Sequence, residues 1–365
     1  MSSARLPLID NKKCRIVLID DSKLTLRSLQ RFIDAQPDMA VAGVSTDGAA
    51  GLELVRRTEP DLLVLDLEMN GMNGIEVLRA LRDERPGLPV LVFSAVSQRG
   101  AAITVEALME GARDYLTKPS SLSPGSTPDM VLTHLATKIR ALTRDCRTTA
   151  VRPVRTRPTG GRANRMAHRP DVVVIGGSTG APEALATLLP RLPSSLPVPI
   201  VIAVHMPAGF TATMAKSLDR RCALRVRESV DGESVTAGTV WLAAGGHHLE
   251  LAKAPGTSTA VLKMNDRPPV NFCRPSVDVL YESAAAVFAN RVLALQLTGM
   301  GKDGLAGAAR ISECGGTVFV QDRASSVVWG MPGAVTEAGL ADEVLHIDTL
   351  AARVQDLCTR PRLHD

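Results

Sequence analysis

The sequence predicts two α/β units in tandem, each a doubly wound and mainly parallel sheet, and three observations predict them. Short apolar runs alternate with segments of helical spacing up to Thr117 and again after Asp171, the signature of βα units. A low-apolar run rich in Arg, Thr and Pro, from Arg147 to Arg169, lies between the two halves and reads as a flexible linker. At 365 residues the chain can build two cores, and with 45% hydrophobic but only 3% aromatic residues those cores must consist of Val, Leu, Ala and Ile. The expected boundaries are 13–128 for the first unit, 129–169 for a connector helix and the arginine-rich linker, and 170–360 for the second unit.

Charge and cysteine usage exclude several classes. The formal net charge is only +4, and the seven arginines between Cys146 and Pro170 account for the excess, so no general nucleic-acid surface is implied. The six cysteines lie far apart with no C-x-x-C, which fits reduced thiols in the cytoplasm. Met1 to Asn11 lacks the apolar segment of a signal peptide. Leu196 to Val204 is too short to span a bilayer and contains Pro197 and Pro199, so no membrane insertion is expected.

In the first unit the apolar runs are Ile16–Ile19, Met39–Val44, Leu62–Leu65, Val90–Phe93 and Tyr115–Leu116, which describe a five-stranded flavodoxin-like fold. Its site should lie at the carboxyl ends of the strands, where Asp20, Asp21, Asp66, Ser94 and Lys118 fall. Three converging carboxylates repel one another unless a cation is present, and oxygen ligands suit Mg²⁺. Lys118 and Ser94 add a positive charge and a hydroxyl for a phosphoryl group, which points to phosphorylation of a carboxylate. With Asp20-Asp21, Asp66 followed by Met69-Asn70-Gly71-Met72-Asn73-Gly74, Ser94-Ala95 and Lys118-Pro119, this unit resembles a response-regulator receiver domain. The resemblance implies that Asp66 is the phospho-acceptor. It also implies that Asp20, Asp21, Asp66 and the backbone carbonyl of Glu68 hold Mg²⁺, and that Ser94, Tyr115 and Lys118 read out the phosphate. Beyond Lys118, Met130 to Arg144 has helical spacing, with Val131, Leu132, Leu135, Ile139 and Leu142 on one side, and is either the last helix of this unit or the start of a connector.

The second unit opens on Val172-Val173-Val174-Ile175-Gly176-Gly177-Ser178-Thr179-Gly180-Ala181-Pro182. Four β-branched residues suit a strand buried on both faces, and Pro182 suits the first turn of a helix. Between them Ser178 sits on a glycine turn that can be a nucleophile elbow, a phosphate loop without the full G-x-G-x-x-G pattern, or a plain tight turn. Further strands are expected at 198–204, 292–297 and 317–320, helices near 182–191, 210–220, 276–289, 303–314, 333–339 and 348–358, and an inserted β-hairpin region among short extended pieces at 223–228, 239–243, 247–252 and 259–264. His205 follows one of these strands, and Asp303 follows another within Leu297-Thr298-Gly299-Met300-Gly301-Lys302-Asp303-Gly304. In a parallel sheet those strand ends share an edge, so a hydroxyl, an imidazole to take its proton and an acid to fix the tautomer can converge there.

Ile175 to Gly180, His205-Met206-Pro207-Ala208-Gly209-Phe210-Thr211, Arg274-Pro275-Ser276-Val277-Asp278 and Leu297 to Gly304 together resemble the catalytic domain of the chemotaxis protein-glutamate methylesterases, the CheB family. The resemblance implies an N-terminal receiver and a C-terminal doubly wound α/β methylesterase domain. Its activity would be hydrolysis of γ-glutamyl methyl esters on the cytoplasmic helices of methyl-accepting chemoreceptors, with deamidation of receptor glutamines beside it. Ser178, His205 and Asp303 would be catalytic, with Met300 and Thr179 supporting the oxyanion. A chemotaxis histidine kinase would be the phosphodonor, no cofactor would serve the hydrolysis, and charge on Asp66 would govern access to the Ser178 edge. His247-His248 can border the site or serve a turn, and Arg274 can meet acidic receptor surface or form a structural ion pair. The rival readings are a response regulator with a non-catalytic adaptor domain and a nucleotide-binding domain.

Overall fold

A computed structural model describes residues 13–94, 97–118, 127–143, 169–257 and 259–361. The described residues fall into two compact units, the first holding 13–94, 114–118 and 127–143 and the second 97–113, 169–257 and 259–361. Most of the arginine-rich linker and Pro119 lie outside the described residues.

In chain order the first half runs β1 (Cys14–Ile19), α1 (Lys23–Asp34), β2 (Met39–Ser45), α2 (Gly48–Thr58), β3 (Leu62–Leu65), α3 (Gly74–Glu84), β4 (Val90–Ser94), α4 (Gln98–Met109), β5 (Asp114–Thr117) and α5 (Pro128–Thr143). The five strands form one parallel sheet in the order β2-β1-β3-β4-β5. The order reverses between β1 and β3, so the loops after those two strands flank the crevice in which such sheets bind ligands. Both loops carry aspartates. Local chemistry fixes the turns: the Ser22 hydroxyl caps α1 by accepting from Thr25 N, and Asn73 with Glu76 closes a reciprocal capping box at α3. Gly74 is required here, because a Cβ would stand 2.3 Å from the carbonyl oxygen of Asp66. The segment left open between last helix and connector is α5, grouped with the first unit. It buries Val131, Leu135, Ile139 and Leu142, and it is pinned by Arg140 to Asp38 at 2.8 Å and by Lys138 to Asp114.

The second half runs β6 (Val172–Gly177), α6 (Ala181–Leu188), β7 (Ile200–Val204), α7 (Phe210–Asp219), β8 (Arg225–Glu228), β9 (Thr239–Leu242), β10 (His248–Lys253), β11 (Ala260–Asn265), α8 (Val277–Phe288), β12 (Val292–Gln296), α9 (Leu305–Glu313), β13 (Thr317–Gln321), α10 (Met331–Glu337), β14 (Glu343–Leu345) and α11 (Ile347–Cys358). Seven strands form a parallel sheet in the order β14-β13-β12-β6-β7-β9-β8. Every residue of β6, β7, β12 and β13 is buried, which is why these strands read as continuous apolar runs. Trp241, Tyr281 and Phe319 are the bulkiest fully buried side chains, and Trp241 and Tyr281 pack into one core cluster.

Two details differ from the sequence expectation. Of the four extended pieces in the middle region, β8 and β9 join the main sheet in parallel, and only β10 and β11 make the antiparallel hairpin. The short edge strand β14 was not expected, because three half-buried residues carry no periodicity. The consequence for function is positional: β12, β6 and β7 are neighbours, and the order reverses at β6, so the loops holding Asp303, Ser178 and His205 leave adjacent strands on one edge.

Candidate active site

Ser178 follows β6 directly, on a turn that only small residues allow. Gly180 has φ +81°, and a Cβ there would stand 2.6 Å from Val327. Ser178 N donates to Thr298 O at 3.0 Å and Ala181 N donates to Ser178 O at 2.9 Å, which locks the turn to the loop after β12. The Thr298 hydroxyl donates to Thr179 O at 3.0 Å and accepts from Val328 N at 3.0 Å. Gly299 passes so close that a Cβ on it would lie 3.0 Å from both N and Cβ of Ser178. Met300 follows, half-buried, and its N–H has no acceptor among the described residues.

His205 leaves the end of β7, its N–H donating to Gly177 O at 3.3 Å, one residue before the serine. Its Nε2 lies 2.7 Å from Asp303 Oδ2, and its Nδ1 lies 3.4 Å from Cys273 Sγ. A carboxylate only accepts, so Nε2 carries the proton and the neutral tautomer presents a bare Nδ1. Among the described residues no hydrogen bond joins Ser178 Oγ to the imidazole.

Asp303 is buried and accepts five hydrogen bonds. Oδ2 takes His205 Nε2 and, at 2.7 Å, Val277 N; Oδ1 takes the Ser276 hydroxyl at 2.8 Å, Asn271 Nδ2 at 2.9 Å and Asp278 N at 3.2 Å. The simplest expectation for an aspartate at a loop–helix junction is the N-cap of the helix that follows. Gly304 holds that place in α9, and Asp303 instead caps α8, where free N–H groups and the helix dipole both favour a negative charge. Burial alone would raise the Asp303 pKa, but the hydrogen bond and charge of His205, with Val277 N and Asn271, hold it well below the usual carboxylate range. Burial would likewise depress His205, yet its bond to Asp303, then Cys273, raise it to about 9. Asp278, one step further in, is pushed up to about 6 by burial, opposed by the Gly307 N–H and reinforced by the neighbouring Asp303 charge.

Asn271, Cys273, Ser276 and Asp278 were not assigned roles from the sequence. Asn271 and Phe272, with φ +52° and +63°, form the corner of a tight turn closed by paired hydrogen bonds between Val270 and Cys273. Two left-handed residues in succession make a type I′ turn, which an Asn-Phe pair does not announce. The histidine pair divides at the start of β10, between the bend residue His247 and the first strand residue His248. His248 is fully buried, accepting from Ser276 N at 3.3 Å and donating to Pro268 O at 3.1 Å, whereas His247 pairs with Asp266 at the surface. Arg274 forms no ion pair among the described residues; its Nη1 donates to the main-chain carbonyls of Asp266 and Arg267.

The first unit brings its expected residues together at the carboxyl edge. Ligand atoms of Asp20, Asp21 and Asp66 lie within 4.8 Å of one another. Lys118 Nζ lies 2.7 Å from Asp66 Oδ2 and 2.8 Å from Asp20 Oδ2. Burial raises the Asp20 pKa against the opposing pull of Lys118, and Lys118 in turn is raised despite burial by its two carboxylate partners. Glu68 N donates to Asp66 Oδ1 at 3.3 Å. Ser94 is fully buried and its hydroxyl has no partner among the described residues, while Lys118 N donates to Ser94 O at 2.8 Å, so an orphan donor stands beside the lysine. An all-oxygen carboxylate set with an adjacent cation and a spare hydroxyl fits Mg²⁺ and a phosphoryl group. Tyr115 stands three residues before Lys118 on β5, its ring under Lys138 Nζ at 6.0 Å from the centroid.

A phosphate-type site at the edge of one parallel sheet and a serine, histidine and aspartate at the edge of another define a two-part protein, a signal-receiving unit joined to a hydrolase-like unit. Residues 16–124 match the response regulator receiver domain and residues 173–354 the CheB methylesterase domain. Over 350 residues the chain is 39% identical to a protein-glutamate methylesterase/protein-glutamine glutaminase of Trichodesmium erythraeum, covering 94% of this chain and 98% of the relative. A Thermotoga maritima protein of the same name is 41% identical over 332 residues, covering 91% and 94%. The crystal structure of the Thermotoga maritima CheB methylesterase catalytic domain, 40% identical, superposes with TM-score 0.50, covering 52% of this chain and 98% of that one. The chain belongs to the CheB family of receiver-linked methylesterases, and it is a hydrolase.

Proposed function

We propose that this protein hydrolyses γ-glutamyl methyl esters, and deamidates glutamines, on the cytoplasmic helices of methyl-accepting chemoreceptors, using Ser178 as nucleophile, His205 as base and Asp303 as the group that orients the base. The observation that carries this reading is the 2.7 Å bond from His205 to Asp303 on the two strands that flank the one bearing Ser178. Asp303 fixes the tautomer in which Nδ1 takes the Ser178 proton as Oγ attacks the ester carbonyl. The bond from Ser178 to Nδ1 forms with substrate present, as catalytic hydrogen bonds commonly tighten only then. Met300 N–H, which lacks an acceptor among the described residues, and Thr179 N–H receive the developing oxyanion. Imidazolium then protonates the departing methoxide, or the amide nitrogen of a glutamine, which leaves as methanol or ammonia, and a water activated by the same Nδ1 cleaves the acyl-serine.

Phosphorylation of Asp66 by a chemotaxis histidine kinase raises this activity in the cytoplasm. Asp20, Asp21, Asp66 and the Glu68 carbonyl would hold Mg²⁺, which when bound neutralises the carboxylates and the phosphoryl oxygens during transfer. Lys118 takes a phosphoryl oxygen and Ser94 donates its spare hydroxyl to another; the altered position of Ser94, with Tyr115, carries the signal. Methanol release from methylated receptor, with and without a small phosphodonor and Mg²⁺, tests the regulatory half: a rise in wild type that is absent in Asp66→Asn supports it, and an equal rise in both overturns it.

A further inference from the structure

The contact between Cys273 and His205 is used by neither half of this scheme. Cys273 Sγ lies 3.4 Å from Nδ1, the nitrogen that Asp303 leaves bare. A tetrahedral zinc ion with Zn–S of about 2.3 Å and Zn–N of about 2.0–2.1 Å sets its sulfur and nitrogen ligands about 3.5 Å apart. Ligand atoms of His205, Cys273 and Asp303 all lie within 4.8 Å of one another, and Asp303 already accepts from the far nitrogen of the imidazole. A histidine that offers one nitrogen while a carboxylate holds the other is the usual outer-shell arrangement of a zinc ligand. The half-buried Cys273 and His205 stand beside Asn271 and Phe272, both exposed, so an ion can enter.

We propose that Cys273 and His205 Nδ1 form a site for a soft divalent ion of the zinc class, with Asp303 as its outer-shell partner, and that occupancy shuts the hydrolase by consuming the base. The inhibitory consequence rests on the catalytic reading of His205; the binding does not. Thiolate and imidazole donors select zinc over magnesium, the reverse of the all-oxygen cluster at Asp20, Asp21 and Asp66. Binding releases the thiol proton and any proton on Nδ1, so affinity increases with pH. Water or the Ser178 hydroxyl can fill the remaining positions.

The test is a Co²⁺ titration of the full chain in excess Mg²⁺, read by thiolate-to-cobalt charge-transfer absorption, followed by displacement with Zn²⁺. Wild type and Ser178→Ala should both give the band. Cys273→Ala and Cys273→Ser should lose it, and Asp303→Asn should weaken binding about 10- to 100-fold. Ester hydrolysis should fall on addition of Zn²⁺ and return with EDTA, with at least a tenfold weaker effect in either Cys273 variant relative to its own untreated rate. No band in wild type, a band that survives in both Cys273 variants, or equal zinc sensitivity throughout overturns the proposal. A Cys273-dependent band in a protein that hydrolyses no ester supports the metal site while removing the catalytic reading.

Discussion

Asp303 holds His205 by Nε2, at 2.7 Å, so Nδ1 is the ring nitrogen the carboxylate leaves unbound. This is the opposite hand from the arrangement in which aspartate holds Nδ1 and serine meets Nε2. The carboxylate is rigid because four other donors fix it to the start of α8 and to Asn271.

Replacing Asp303 by Asn therefore has two separable effects. An amide can present its NH₂ to Nε2 and stabilise the wrong tautomer, so kcat should drop by about 10³- to 10⁴-fold. Loss of the negative charge at the N-terminus of α8 should also lower Tm, an effect of roughly 1 kcal/mol or more. A steady-state assay with a melting curve separates them; wild-type kcat with lowered Tm would leave Asp303 as a cap only.

If His205 is the proposed base, a pKa raised to about 9 leaves it mostly protonated at neutral pH and unable to accept the serine proton. The kcat/KM of the unphosphorylated enzyme should thus increase with pH well above the ordinary histidine range, toward pH 9. Cys273→Ala removes one of the contributions that raise His205, so its profile should move to lower pH. A rate already level at pH 7 contradicts this.

Gly299→Ala is expected to damage the site more than the fold. The new methyl group would meet Met331 Sδ at 2.3 Å, a flexible side-chain end that can move, and Ser178 N and Cβ at 3.0 Å, which cannot. Activity should fall by at least tenfold with only a small change in Tm.

Ser94→Ala should retain phosphorylation of Asp66 yet lose most of the activation it produces, because the orphan hydroxyl is the group that can follow the phosphoryl oxygen. Phosphoprotein level and methanol release, measured on the same sample, give the answer. Full activation would assign the readout elsewhere.

The strands were legible because each buried strand is a continuous apolar run, and the loop residues at their ends followed from that. Ser178, His205, Asp303 and the Asp20, Asp66 and Lys118 set needed only a parallel sheet to fall on one edge. Strand partnership was not legible: the pattern of 225–228 and 239–242 says extended, and nothing in it says parallel to β7. Asn271 and Cys273 reach the site through a type I′ turn that Asn271-Phe272 does not signal, and the capping of α8 by Asp303 is a contact across 26 residues. The choice of Nε2 over Nδ1 depends on ring orientation, which residue type does not encode.

The most direct measurement is methanol release from methylated chemoreceptor by phosphodonor-treated Ser178→Ala, with a melting curve to show that it is folded. The account predicts a rate at least 10³-fold below wild type, since removing the nucleophile removes the acyl-serine route. A folded Ser178→Ala protein that releases methanol at the wild-type rate would contradict it.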